Sequence, residues 1–137
     1  MADHDTTLKD AATPGGAVLA EASLADLRAL DPGGQARLVQ RVLGTYQGSL
    51  GRLVDQLAEA RRTGAWDQVS RVAHTLKSSS ASIGALALSA LCADIERHLR
   101  AGDVASAQGC LAGFDAEVAR VVEAVATALR AEEAAGS

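Results

Sequence analysis

The stretch that decides the fold of this chain reads Val72-Ala73-His74-Thr75-Leu76-Lys77-Ser78-Ser79-Ser80. Around it, apolar and small residues recur with the spacing of an amphipathic helix, in which successive side chains turn by about 100°. One narrow arc of this helix collects the residues that we expect in the core: Val69, Val72, Ala73, Leu76, Ser80 and Ile83. His74 lies roughly 140° from the centre of the arc, so the sequence predicts that its imidazole faces solvent.

The composition favours an α-helical protein. Hydrophobic residues, mostly Ala, Leu and Val, make up 48% of the 137 residues, whereas aromatic residues make up 2%. A β-sandwich or a base-stacking nucleic-acid platform would need more aromatic side chains. The net charge of −4, without a basic stripe, argues against nucleic acid and anionic membranes as partners. The chain has no signal peptide and no run of ~18 apolar residues, so we expect a cytoplasmic protein.

The pattern predicts one short helix and four longer ones. Ser23 is expected to cap the short helix, which runs to Leu30. The next two helices are predicted over about 35–62 and 65–82, and Gly84 and Gly102 bound a further one before the last helix. Connections of ~2–5 residues make neighbouring helices antiparallel. The predicted fold class is therefore all-α, an up-down antiparallel four-helix bundle with a short additional N-terminal helix.

The chain is expected to hold one domain. Residues 1–17 are polar and without periodicity, which predicts a flexible N-terminal tail. The bundle is predicted over residues 18–131, and residues 132–137 are expected to fray. Because the chain begins with methionine and carries a single domain, we expect a free-standing module that is a monomer.

The residues from Ala73 to Ala85, followed by Leu88, Leu91, Cys92 and Glu96, resemble the histidine phosphotransfer (HPt) domain. That family has a histidine, a lysine three residues later, small residues, a Gly-Ala pair and then a leucine-rich helix. Ser78 departs from the family's usual glycine, but it is nearly as small. The resemblance implies a helical bundle in which His74 accepts a phosphoryl group from a receiver-domain aspartate and passes it to another receiver domain. It also implies that any Mg²⁺ belongs to the receiver.

The chemistry of the neighbouring residues fits such a role. Neutral imidazole is nucleophilic, and Lys77, one turn further on, leans back toward it and can offer charge to a phosphoryl group. Glu96 lies at the edge of its helix's apolar stripe, where two roles stay open. It either orients the imidazole by accepting a hydrogen bond, or it is a surface glutamate near Arg97 and Arg100. We expect partners to bind at four residues near the histidine: Ser70, Arg71, Ser78 and Ala81.

Three further residues are expected to be structural. Cys92 and Cys110 are predicted to be reduced thiols, since two cysteines make no disulfide framework and neither has metal-ligand spacing. Cys92 lies on an apolar stripe and is expected in the core. Ser80 is expected to point inward and to return a hydrogen bond to the helix backbone.

Other chemistries are weakly supported by the sequence. A hydrolase built on His74 and Ser78 would need a carboxylate on the same helix face and an oxyanion hole, and no such motif is present. No phosphate-binding loop is present, so we expect the phosphoryl donor to be another phosphoprotein. We expect no cofactor and no metal. Two alternatives stay open: a helical adaptor that docks receiver or kinase domains without being phosphorylated, and a small enzyme that uses His74 as a general base.

Overall fold

The computed structural model describes residues 18–135, so the predicted flexible tail over 1–17 lies outside the described residues. Five α-helices and no strand occur between residues 18 and 135. They are α1 (Glu21–Ala29), α2 (Leu38–Thr63), α3 (Trp66–Ser82), α4 (Leu86–Arg100) and α5 (Val104–Ala135). None of these helices combines the length and the apolar character that crossing a membrane requires.

The four long helices form the predicted up-down bundle. Helix α3 packs against α2 and α4, and α5 packs against α4 and α2, so the four helices close into a ring. Hydrogen bonds between α3 and α4 show that the two helices are antiparallel. His74 pairs with Glu96, whereas Lys77, which comes later on α3, pairs with Ser89, which comes earlier on α4. The connections between the long helices are two or three residues long, which leaves no room for a parallel return.

The predicted short N-terminal helix, α1, covers one end of the bundle. The backbone N–H of Ala20 donates to the carbonyl of Gly84 at 2.8 Å, and the Arg28 guanidinium lies 2.8 Å from the Glu132 carboxylate at the end of α5. The prediction that Ser23 caps this helix is wrong. The helix begins at Glu21 after Ala20, and the Ser23 backbone N–H already donates to the Ala20 carbonyl at 3.1 Å. Ser23 therefore lies inside the first turn.

Helix α2 begins three residues later than the pattern suggests. Arg37 has a left-handed backbone with φ of 52°, which an α-helix excludes. The Asp31 carboxylate accepts the backbone N–H groups of Ala36 at 3.3 Å and of Leu38 at 3.0 Å. These bonds hold the residues before α2 in a turn and satisfy a backbone donor at the helix start.

The core is built from the predicted apolar stripes. All six residues of the predicted α3 arc are buried, and Cys92 is buried as expected. The other long helices add large buried side chains, including Leu43, Leu50, Leu57, Leu88, Ile95, Leu111, Phe114 and Val121. Ser80 also faces the core, but its expected partner was wrong. Its hydroxyl pairs with the Tyr46 hydroxyl at 2.8 Å, because a buried phenol on the facing helix α2 needs a partner as well.

The last helix is longer than predicted. Helix α5 continues through Ala135, so residues 132–135, which were expected to fray, are helical. Glu132 ties this turn to the rest of the bundle. Its carboxylate pairs with Arg28 of α1, and its backbone carbonyl accepts the Gln40 side chain of α2 at 3.4 Å. Contacts from two other helices thus hold a segment that the sequence pattern alone predicts to fray.

The turn between α3 and α4 leaves no room for a side chain at Gly84. Its φ is +86°, in the left-handed region that favours glycine. A Cβ built there would lie 2.8 Å from the Ala20 backbone nitrogen and 2.9 Å from the Ser23 Cβ. Gly84 thus lets α1 approach the turn that joins the two helices of the site described below.

We predict that Gly84→Ala lowers the free energy of unfolding by more than the strain of a left-handed backbone alone, which is about 1–2 kcal/mol. The excess arises because the new methyl group displaces α1. Gly102→Ala is the matched control, since Gly102 has a φ of +75° with nothing within 4 Å of its added Cβ. Urea unfolding of both variants measures the difference, and equal losses would contradict the prediction.

Candidate functional site

His74 stands on the outer face of α3. Its side chain is 62% exposed, which confirms the predicted orientation. Helix α3 begins after Ala65 with Asp67 in its first turn, where an acidic residue suits the helix dipole. Because the buried arc of α3 packs against α2 and α4, the opposite direction of the helix points to solvent. The rotation of α3 set by its core residues therefore presents the imidazole outward.

Glu96 of α4 contacts the His74 imidazole. Its carboxylate oxygen Oε2 lies 2.8 Å from His74 Nδ1, and its other oxygen Oε1 accepts the Lys77 ammonium at 2.8 Å. The Glu96 side chain is only 5% exposed. The sequence left two roles open for Glu96, and its burial excludes the one in which it is a surface glutamate. The structure brings Glu96 to the imidazole, across the interface of α3 and α4.

Arg100 is a fourth member of this site, which the sequence analysis named only as a neighbour of Glu96 in the surface-glutamate alternative. Its Nη2 donates to Glu96 Oε2, the same oxygen that faces the imidazole. Arg100 follows Glu96 by four residues on α4, a spacing that commonly pairs side chains on one helix face. That spacing was visible in the sequence, but the shared oxygen was not. We call His74, Lys77, Glu96 and Arg100 the Glu96 cluster.

The surroundings of Glu96 keep it ionised. The hydrogen bond from Lys77 is the largest influence and lowers the pKa of Glu96 below its ordinary value of 4.5. Burial acts in the opposite direction, while the hydrogen bond with His74 and the charge of Arg100 also lower the pKa. An ionised carboxylate only accepts hydrogen bonds, so the Nδ1 atom of His74 must carry a hydrogen. A neutral imidazole with its hydrogen on Nδ1 has its lone pair on Nε2. This tautomer is inferred from the hydrogen bond with Glu96.

Lys77 reaches the carboxylate of the cluster instead of standing free beside the imidazole. Its ammonium donates to Glu96 Oε1, and its backbone carbonyl accepts the Ser89 hydroxyl of α4 at 2.8 Å. The side chain is one-third exposed. Lys77 therefore joins α3 to α4 through both its side chain and its backbone, and its ammonium stays near the open face of the site.

The four residues expected to bind partners share the outer face of α3 with His74. Arg71, Ser78 and Ala81 are exposed and Ser70 is half-buried. Arg71 donates to the Gln68 side chain at 3.0 Å and leaves the face around the imidazole open. Their contact with a partner stays a prediction, and their placement gives a partner access to the imidazole across small side chains.

The cysteines and the acidic residues are further candidates for a site among residues 18–135. Both cysteines are free, and burial raises the pKa of the Cys92 thiol to about 12, so this thiol stays protonated. In the same part of the chain, no group of three or more His, Cys, Asp or Glu side chains is placed to hold a metal ion. The expected absence of a metal and of a cofactor stays a prediction.

The fold and the site together define a class of protein: a helical bundle that displays an exposed histidine bonded to a buried carboxylate. Residues 41–131 match the family model described as the Hpt domain, and this match spans more than half of the chain. The chain therefore belongs to the Hpt domain family, as the resemblance implied. Membership supports a role in histidine phosphotransfer within phosphorelays, where Hpt proteins interact with receiver domains.

A solved structure agrees with this assignment. The fold is similar to that of histidine-containing phosphotransfer protein B (HptB) from Pseudomonas aeruginosa PAO1, with a TM-score of 0.73. The two sequences are 21% identical, and the match covers 82% of this chain and 95% of that chain. At this identity the likeness concerns the fold alone. No curated protein gives a match to this chain.

We predict that the contribution of Glu96 to stability depends on pH. Because its pKa is lowered in the folded state, the ionised carboxylate stabilises the fold above the unfolded-state value of 4.5. This contribution is lost as the pH falls through the lower folded-state pKa. At neutral pH, Glu96→Gln should reduce the free energy of unfolding by about 1.5–3 kcal/mol, the scale of a hydrogen bond to a charged group.

Urea unfolding at a series of pH values checks this prediction. The difference between the parent and Glu96→Gln should shrink as the pH falls below 4.5. Asp94→Asn is the control, because Asp94 pairs with Arg97 on the exposed face of the same helix and its loss should change stability by less than about 0.5 kcal/mol. A Glu96→Gln difference that does not shrink in acid would refute the linkage.

Proposed function

We propose that this chain is an intermediate of a multistep phosphorelay. In this proposal, His74 accepts a phosphoryl group from the aspartyl phosphate of one receiver domain and passes it to the aspartate of another. The observation that supports it most directly is the contact of 2.8 Å between Glu96 and Nδ1 of an exposed imidazole. That contact leaves Nε2, the nucleophilic nitrogen, facing the side from which a partner approaches.

The proposed transfer follows from this geometry. The Nε2 lone pair attacks phosphorus, and the N–P bond forms as the P–O bond to the aspartyl carboxyl group breaks. The bonding electrons leave with the receiver's carboxylate. The proton on Nδ1 stays in place, so the ring gains positive charge, which the Glu96 carboxylate stabilises. Transfer to the second receiver runs the same steps in reverse, and Mg²⁺ is expected only in the receiver.

Lys77 is proposed to stabilise the phosphoryl group. Its ammonium has three donors, of which one contacts Glu96 Oε1. The remaining donors can turn toward a phosphoryl oxygen on the neighbouring imidazole, since the side chain is one-third exposed. Because the phosphoryl group carries negative charge in transit and at rest, a fixed cation beside it favours the transfer.

The face formed by Ser70, Arg71, Ser78 and Ala81 is proposed to receive the partner. A receiver must bring its phosphorus within about 3–3.5 Å of the nucleophile, which excludes bulky side chains near the imidazole. The exposed residues of this face include two small ones and a cation. We further propose that the protein works in the cytoplasm as a monomer that meets its receivers in turn.

The two alternatives remain distinguishable from the relay. An adaptor that only docks receivers or kinases has no need of a buried carboxylate bonded to an exposed imidazole, so the Glu96 contact favours the relay. Acid-labile phosphate on the purified protein would separate relay from adaptor. An enzyme with His74 as its general base would instead turn over a substrate in the absence of any receiver.

We predict that His74→Gln abolishes phosphoryl acceptance while leaving the fold intact. Glutamine lacks the nucleophilic ring nitrogen, and losing one hydrogen bond to the charged Glu96 carboxylate should cost at most about 1.5–3 kcal/mol. Labelled phosphate transferred from a phosphorylated receiver domain measures acceptance, and circular dichroism measures the fold. His98→Gln is the control, because His98 is half-buried on α4 and is not bonded to the Glu96 carboxylate. Label on the His74→Gln protein would show that another residue is the acceptor.

We predict that Ser78→Trp blocks transfer from a receiver domain but spares phosphorylation by phosphoramidate. The indole would stand one turn from the imidazole and exclude a protein partner, whereas a small donor can still reach the nitrogen. Ala119→Trp on the exposed face of α5, across the bundle, is the control for adding an indole to the surface. Equal losses with both donors would mean that Ser78 acts on the imidazole itself.

A further inference from the structure

Arg100 and His74 contact the same oxygen atom of Glu96. Glu96 Oε2 faces His74 Nδ1 at 2.8 Å and also accepts the guanidinium of Arg100. Lys77 occupies the other oxygen, Oε1. The atom that holds the imidazole is therefore shared with Arg100, whereas Lys77 pairs with the other oxygen of the same carboxylate.

The burial of Glu96 makes its charge depend on these cations. The side chain is 5% exposed, and an ionised carboxylate at such a position is costly unless cations pair with it. The groups that face it are His74 and Lys77 from α3 and Arg100 from its own helix, with the Cys92 thiol one turn away. The buried thiol stays neutral and does not compete for the carboxylate.

We propose that Arg100 is a positioning residue for phosphoryl transfer, acting through Glu96. It holds Glu96 Oε2 ionised and aimed at Nδ1, so that the imidazole keeps its hydrogen on Nδ1 and its lone pair on Nε2. This role rests on the proposed function of His74.

The exposure of Arg100 separates this role from a structural one. Its side chain is 67% exposed, so its removal leaves no cavity in the core, and Lys77 still pairs with the Glu96 carboxylate. Removing it should therefore leave the bundle folded. Arg97 offers a close comparison, because it is similarly exposed on the same helix and pairs with Asp94 instead of Glu96.

The test compares Arg100→Ala, Arg100→Lys and Arg97→Ala in the full chain. Nitrogen chemical shifts of the His74 ring report the tautomer, and the carboxyl carbon of Glu96 reports its titration. Phosphoramidate, which needs no docking, reports the rate of phosphorylation across pH. We expect Arg100→Ala to raise the midpoint of the Glu96 titration and to increase the tautomer with hydrogen on Nε2. The rate should fall by about tenfold, the lower end of the loss when a partner that orients a functional histidine is removed.

The conservative variant decides between positioning and packing. Arg100→Lys should restore most of the tautomer ratio and of the rate, and Arg97→Ala should behave as the parent in all three measurements. The proposal is overturned if Arg100→Ala matches Arg97→Ala in tautomer and titration, or if its rate falls while both stay unchanged.

Failure of the proposed function would look different. If the parent takes no phosphate on His74 from either phosphoramidate or a phosphorylated receiver, the relay proposal fails. The effect of Arg100→Ala on the tautomer and on the Glu96 titration would still be measured in the same samples. A shift in both would support the positioning of the imidazole by Arg100, apart from any phosphoryl transfer, and no shift in either would refute it.

Discussion

The buried carboxylate of Glu96 is the interaction on which the arrangement of the site depends. A charge at the interface of two helices must be paired, and the donors that pair it come from both sides of that interface. His74 and Lys77 reach it from α3, and Arg100 reaches it from α4. The carboxylate thereby gathers one exposed imidazole and two cations at the interface of α3 and α4.

The core determines the rotation of α3 that this pairing requires. Ala73 is fully buried beside the exposed His74, and Ser80 on the same buried arc bonds to Tyr46 of α2. Rolling α3 about its axis would break the Ser80 bond and would also carry the imidazole away from Glu96. One orientation of α3 therefore satisfies both the buried bond of Ser80 and the bond of His74 to Glu96. Because α3 is packed in the core, the imidazole is held in a fixed position.

In the proposed function, this arrangement divides the chemistry of phosphoryl transfer between the chain and its partner. The chain contributes an exposed nitrogen, a fixed tautomer and nearby positive charge, while the exposed face leaves the remaining catalytic groups to whatever docks there. Such a division fits the Hpt domain family, to which the chain belongs. Under the proposed function, the small side chains Ser78 and Ala81 beside the histidine leave room for a partner to approach it.

The sequence by itself determined the helices, the bundle and the outward direction of His74, because local periodicity states which way each side chain points around its own helix. It could not decide between the two roles of Glu96, and it overlooked the bond of Arg100 to the oxygen that faces the imidazole. It also misplaced the partner of Ser80 and the end of α5. Each of these depends on how far one helix is shifted along its neighbour, which only the packing of the whole bundle decides.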